Sequence, residues 1–259
     1  MKYKAKILAD RFAALFALWP GVDCVSLNEA ALPDTLDPYF ALILDVYYSA
    51  PIPTAAERAA LYGEDTAAFE TSSQESKDRF MAGNLPVRIE YKSVQKIEEL
   101  VAITDTKLDS LWLIKDSGTY VFYRLAQGEI LFSRNDWIQT LRKKLLNLKD
   151  EFWNQMRAAH ESRMEHYLSD LGAALIQEDD FYYLISAAGF VKTACLTLFC
   201  INHRFEPSHR AYLKQVMELP VLPESFSAQL ENFLRIGPEM TPERKYSLAQ
   251  LIARGTVSL

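Results

Sequence analysis

The chain has 259 residues, is 49% hydrophobic and 24% charged, and contains 31 aromatic residues, three cysteines and nine glycines. These proportions describe a globular chain that buries a large core, and they exclude disorder, collagen-like repeats and a disulfide framework. The net charge is -6, and its acid excess lies in the first half: residues 1–130 hold 13 Lys and Arg against 19 Asp and Glu, whereas 131–259 hold 15 against 15. An acidic half repels a phosphate backbone, so general nucleic-acid binding is not expected, and the basic strip Arg142-Lys143-Lys144 reads as a solvated helix face. The glycines stand at 21, 63, 83, 118, 128, 172, 189, 237 and 255. None are close enough to write a dinucleotide or Walker phosphate loop.

In chain order, Leu8, Phe12, Leu15, Phe16 and Trp19 follow helical spacing, and Asp10 and Arg11 split the apolar stretch too early for a signal peptide. Pro20-Gly21 stops this helix, and a short strand is expected over 22–27. A Pro- and Asp-rich loop then leads to an apolar run over 41–48 suited to a buried strand. Thr54-Ala-Ala-Glu57 is a capping box that starts a helix. Residues 66–84 are polar and read as a short helix or a mobile loop. A strand over 87–92 and a helix over 94–103 follow, and 120–125 with 129–132 read as a β-hairpin around Ala-Gln-Gly.

From Ser133 onward the periodicity is helical. A long segment to about Leu171 is followed by helices over 179–202, 208–218, 224–234 and 241–254, the last with Thr241-Pro242 at its cap. The expected fold class is α+β, with an N-terminal α/β domain over 1–132 and a helical bundle over 133–259. The run 181–201 is long enough to cross a bilayer, but Lys192 at its centre favours a buried core helix, and no membrane partner is expected. The three cysteines form neither a disulfide pattern nor a zinc pair. A reducing cytoplasm is the expected compartment.

The segment Asp37-Pro-Tyr-Phe-Ala-Leu-Ile-Leu-Asp-Val-Tyr-Tyr48 resembles the nucleotidyltransferase superfamily, in particular its bacterial branch of antibiotic nucleotidyltransferases. Leu198-Phe-Cys-Ile-Asn-His-Arg-Phe-Glu-Pro207 and Leu219-Pro-Val-Leu-Pro223 resemble that family's helical domain. The resemblance implies a helix, a strand ending in Gly-Ser that contacts nucleotide phosphates, a strand bearing Asp-x-Asp, and a third carboxylate on a later strand. Carboxylates at i and i+2 project from one strand face and together hold the divalent ions of phosphoryl transfer. In this sequence the paired aspartates fall on Ala41 and Ile43, the Gly-Ser on Leu27 and Asn28, and the third carboxylate on Glu90.

Two of three expected ligands and the phosphate-binding turn are therefore missing. The preferred reading is a protein of this fold whose transfer chemistry is lost or strongly reduced and which acts by binding a small molecule, a nucleotide or a protein partner. The alternative is an active transferase using Mg2+ and a nucleoside triphosphate, with Asp45 and Glu90 as ligands and Asp37 or Glu29 as further candidates. A third reading takes Arg204 and His209 as a phosphoryl-stabilising cation and a proton carrier of a helical RNA nuclease. His160 and His166 stand about 240° apart on a helix and do not match a zinc pair. Tyr47, Tyr48, Tyr91, Tyr120, Phe122 and Tyr123 are candidate base-stacking aromatics.

Overall fold

A computed structural model of the chain describes residues 3–28, 42–105 and 108–259. Ala41, Asp37 and Glu29, named above as site positions, lie outside the described residues. The elements run α1 (Tyr3–Ala17), β1 (Val22–Leu27), β2 (Leu42–Tyr48), α2 (Ala55–Leu61), β3 (Thr66–Thr71), β4 (Lys77–Ala82), β5 (Leu85–Ser93) and α3 (Val94–Ile103). They continue with α4 (Trp112–Ser117), α5 (Tyr120–Gln127), β6 (Glu129–Ser133), α6 (Trp137–Leu146), α7 (Asp150–Gln177), α8 (Asp180–Ile201), α9 (Tyr212–Met217), α10 (Phe226–Leu234) and α11 (Pro242–Val257). The class is α+β, with a mixed sheet in the first half and helices in the second.

Two compact units form: Met1–Leu108 with Tyr120–Leu148, and Asp109–Thr119 with Lys149–Leu259. Residues 133–148, grouped by periodicity with the helical half, thus pack in the first unit. There α6 buries Ile138, Leu141 and Leu145, and the Trp137 ring lies 5.4 Å from that of Tyr47.

The first unit is built on a six-stranded sheet of order β3-β4-β5-β2-β1-β6. Only β2 and β5 pair in parallel; every other neighbouring pair is antiparallel. Side chains alternate across a strand, so each strand has two different faces to satisfy. On one face Leu42, Leu44, Val46, Val87, Ile89 and Tyr91 pack with Phe12, Phe16 and Trp19 of α1 in a single apolar core. The other face carries Ser26, Asp45, Tyr47, Glu90 and Lys92. The capping box at Thr54 closes as the sequence predicts, with Thr54 N–H donating to Glu57 at 2.8 Å.

Two sequence-based assignments are corrected. Residues 66–84 form the β3–β4 hairpin and its turn into β5, where Gly83 sits at φ 57°. Their alternation is masked because Asp78 occupies a core position: on β4, Asp78, Phe80 and Ala82 are the buried residues. Residues 120–127 form α5 rather than a hairpin strand, because Phe122, Arg124 and Leu125 are all buried there, a tertiary demand that overrides the β preference of the aromatics. Only 129–133 joins the sheet, alongside β1.

Asp78 is tolerated because Arg58 of α2 meets it with two hydrogen bonds, Nε to Oδ2 at 2.8 Å and Nη2 to Oδ1 at 3.0 Å. Arg58 also donates to the Pro53 carbonyl at 2.8 Å and lies 4.5 Å over the Tyr91 ring. Tyr62 and Tyr91 add hydroxyl bonds to the same carboxylate. Burial alone would raise the Asp78 pKa, but these donors hold it below its usual value. Truncating one member of such a pair strands a buried charge. Arg58→Met should therefore cost about 3–5 kcal/mol in urea unfolding, while Arg58→Met with Asp78→Leu should recover much of that loss.

In the second unit Met164, Leu171, Phe190, Ala194, Leu198, Phe199, Phe226, Phe233 and Ile252 are among the residues of one core shared by α7, α8, α10 and α11. α8 is the one described helix long and apolar enough to cross a membrane, and just over half of its most apolar window is buried within the protein. Cys195 and Cys200 are free and buried along it, and burial pushes both thiols up to about 12. They pack as small hydrophobic residues, as their position in an apolar helix suggests.

Candidate functional site

The buried polar face of the sheet holds the residues of interest. The parallel register pairs Asp45 directly with Glu90, and the antiparallel register pairs Ser26 with Asp45. The same register sets Ile43 opposite Arg88, so Ile43 shares the face of Asp45 and Glu90 but stands one residue pair further along. Leu27 is buried in the core with α1, whereas Asn28 is buried beside the polar face and extends the pairing, its N–H donating to the Ile43 carbonyl at 3.1 Å.

Asp45 is fully buried at the centre of the sheet. An isolated carboxylate there would be neutralised, because water that stabilises the charge has been removed. Instead Lys92 Nζ stands 2.9 Å from Oδ2, the Arg124 guanidinium donates to Oδ1, and the Tyr47 hydroxyl donates to Oδ2 at 3.2 Å. Arg124 also reaches Glu90 with Nη1 at 2.9 Å from Oε2, and Lys92 and Lys77 lie 3.7 and 3.6 Å from the same carboxyl group. Burial pushes the Asp45 pKa up, but Lys92 and then Arg124 outweigh it and hold the carboxyl below its usual 3.8. The Asn28 amide adds a weaker pull without closing a hydrogen bond of ordinary geometry.

Arg124 comes from α5, the helix whose identity the sequence pattern obscures. Gly128 then lets α5 end against β1: a Cβ at this position would stand 2.8 Å from the Arg124 carbonyl oxygen and 3.3 Å from that of Leu27. Arg142 of α6 ties this corner together by donating to the carbonyls of Leu125, at 2.8 Å, and Gly128. Neither Lys92 nor Arg124 is singled out by the motif reading. The available signal was a lysine two positions beyond Glu90 on the same strand face.

Mg2+ takes hard oxygen ligands in near-octahedral geometry. Asp45 and Glu90 are two carboxylates whose oxygens face three cationic side chains, Lys92, Arg124 and Lys77, and among the described residues no group of three or more His, Cys, Asp or Glu side chains forms a metal cluster. The donor set as it stands does not suit the ion. Beside it, Leu27, Asn28, Tyr123, Arg124, Gln127, Gly128 and Glu129 line a recess of about 170 Å3.

The aromatic candidates divide. Tyr47 and Phe122 are fully buried, and Tyr91 faces the opposite side of the sheet, stacked on Trp19 at 6.3 Å. Tyr123 alone lines the recess, with its ring 6.4 Å from that of Tyr120.

In the second unit Arg204 and His209 are exposed, separated by the buried Phe205-Glu206-Pro207 segment. Asn202 stitches this turn, donating to the carbonyls of Leu198 and Val221, both at 2.8 Å, and accepting from the Val221 N–H. The Glu206 N–H donates to Thr119 Oγ1 at 2.8 Å, and its carboxylate lies 3.7 Å from Lys192. His160 is buried, its Nδ1 lacks a hydrogen-bond partner, and burial with the nearby cations Arg163, Lys192 and Lys115 lowers its pKa to about 4.

The chain is similar to the crystal structure of a nucleotidyltransferase-like protein from Exiguobacterium sibiricum 255-15, with a TM-score of 0.49 and 13% identity, covering 98% of this chain and 73% of that one. No protein-family model and no curated protein matches the sequence.

Two titrations follow. Because Asp45 has a lowered pKa in the folded state, its contribution is full above the ordinary carboxylate range and is lost as the pH falls below 3.8. Asp45→Asn should lower stability by about 3 kcal/mol at neutral pH, with the gap from wild type narrowing in urea titrations below that value. His160 also has a lowered pKa, so the folded state loses stability as the pH falls from 6.5 towards about 4, where the unfolded chain takes the proton more readily. His160→Phe should flatten the melting-temperature profile across that window, the wild type losing about 3 kcal/mol over it.

Proposed function

We propose that the chain is a nucleotidyltransferase-like protein whose metal-dependent transfer is lost or strongly reduced, and that it acts by binding a small-molecule or nucleotide ligand or a protein partner in the bacterial cytoplasm. The resemblance of the segment around Asp45 to the superfamily supports the first part. The missing Gly-Ser turn and the replacement of the paired aspartates support the second. Free buried cysteines are compatible with a reducing compartment.

The observation that carries the reading is the pairing of Asp45 and Glu90 with Arg124 and Lys92. In a two-metal transferase, carboxylates hold divalent ions that neutralise the developing phosphoryl charge. In this chain the same kind of carboxylates are neutralised from within the fold, so no net negative charge is left to attract an ion. Loading a divalent ion would require expelling a guanidinium and an ammonium from a buried site, which leaves both of them without counter-charges. The loss of the phosphate-binding turn acts in the same direction, since either defect alone weakens nucleotide transfer.

Calorimetric titration of the full chain with Mg2+ and ATP, followed by product analysis with hydroxylated acceptors, tests this. The expected result is no metal-dependent nucleotide binding and no nucleotidyl product. Metal-dependent binding that Asp45→Asn or Glu90→Gln abolishes would establish the active alternative. RNA cleavage by the wild type that His209→Ala removes would establish the nuclease alternative.

A further inference from the structure

From Phe181 to Val191, α8 carries no charged residue, so its first three turns lack the charged outer side of an ordinary surface helix. A helix of this kind belongs in an interior. One side is there: Ser186 and Phe190 are buried, and Tyr183, Ala187 and Val191 pack against the core of the helical unit. The other side is not. Phe181, Leu184 and Ile185 are 73%, 66% and 50% exposed, and Ala188 and Lys192 are exposed with them. At 3.6 residues per turn these five positions fall within about 100° of one another, so they form one stripe along the outer side of the helix.

Charge restricts what can cover it. Glu178, Asp179 and Asp180 are exposed where α8 begins, and Lys192 is exposed about 18 Å further along the same helix. Lys192 lies 3.7 Å from Glu206 and keeps about half of its side chain in water. The acidic end is repelled by an anionic lipid surface, and the apolar stripe from Phe181 to Ala188, about 10 Å long, is too short to cross a bilayer core. A second α8 laid antiparallel across the first matches the ends, base on acid and acid on base. A parallel pair would instead set the three acids of one copy against those of the other. The side chains match in the same antiparallel arrangement: centred between Leu184 and Ile185, it sets the large Phe181 of each copy over the small Ala188 of the other and packs Leu184 against Ile185. Area is sufficient. A specific interface needs about 1,000 Å2 in total, about 500 Å2 from each copy. Three large apolar side chains at half or more of full exposure, with Ile176 across the turn from α7 at 87%, supply area of that order.

We infer that the chain forms a two-fold homodimer through the outer stripe of α8, the two helices packing antiparallel about an axis between Leu184 and Ile185. Such an interface uses the same surface on both copies, so it closes at two and does not propagate. The stripe lies in the helical unit, and the inference does not depend on how the carboxylates of the sheet are neutralised.

Sedimentation velocity of the full chain from about 1 to 100 μM should show a monomer passing into a dimer. Leu184→Asp, at an exposed position, should raise the dimer dissociation constant at least about thirtyfold while keeping the wild-type circular dichroism. If that variant does not fold, crosslinking decides, because the native Cys24, Cys195 and Cys200 are buried and leave an introduced thiol as the accessible one. Ile185→Cys stands beside its own copy near the axis and should form an intermolecular disulfide on mild oxidation. Phe181→Cys stands about 10 Å along the axis from its own copy, beyond the roughly 7 Å that a disulfide spans, and should crosslink only when mixed with Ala188→Cys. A monomer at every concentration, a dimer that Leu184→Asp leaves intact, or self-crosslinking of Phe181→Cys as fast as that of Ile185→Cys would overturn the inference. So would a monomer that sediments with phosphatidylcholine–phosphatidylglycerol vesicles and is released by Leu184→Asp, since the stripe would then serve a membrane surface.

Discussion

A fully buried carboxylate at the centre of a sheet has to be compensated or the strand cannot stay where it is. Asp45 imposes that condition on the first unit, and much of the local architecture is the response to it. Lys92 reaches Asp45 because β5 runs parallel to β2 with Asp45 opposite Glu90. Arg124 reaches both carboxylates because 120–127 coils into a helix that docks on this face. A slip of one residue in the register would carry the charged side chains into the apolar layer against α1. The pairing therefore specifies the arrangement more than it adds stability, since the attraction between buried ions is largely offset by the cost of dehydrating them.

The same physics shapes the functional reading. A two-metal transferase site works when carboxylates are held together without internal counter-charges, so that metal ions supply the positive charge. With a guanidinium and an ammonium supplied by the protein, the charge balance of the face is closed before any ligand arrives. Beside the quartet lies a recess of about 170 Å3. The two features are linked through Arg124, which neutralises the carboxylates and also lines the recess.

Buried charge recurs elsewhere in the chain. Arg58 and Asp78 form a second compensated pair on the opposite side of the sheet, joining α2 to the β3–β4 hairpin. In the helical unit the solution is different: His160 is buried in a cationic neighbourhood and stays neutral. A carboxylate beside cations gains from ionising, whereas an imidazole beside them gains from remaining uncharged.

Residues whose apolar spacing repeats were legible from the sequence alone. The opening helix with Phe12 and Phe16, the buried run of β2, the capping box at Thr54 and the helices of the second half follow from periodicity and local capping, because these depend on neighbours three or four positions away. The parity that Asp45 shares with Ile43 on β2 was legible for the same reason, whereas its pairing with Glu90 of β5 was not. The partners Arg124 and Lys92 were not, nor was the hairpin around Asp78, because in each case a charged residue sits where the pattern requires an apolar one. Alternation along a strand records which side a residue faces, but not which distant cation meets it there. The segment 120–127 shows this most clearly: its aromatics favour a strand locally, and only the docking of Phe122, Arg124 and Leu125 makes it a helix. The sequence by itself determined the fold class and the apolar layers, both properties of local spacing. The tertiary structure alone decided that Asp45 and Glu90 are paired with Arg124 and Lys92, because that pairing depends on groups tens of residues apart in the chain.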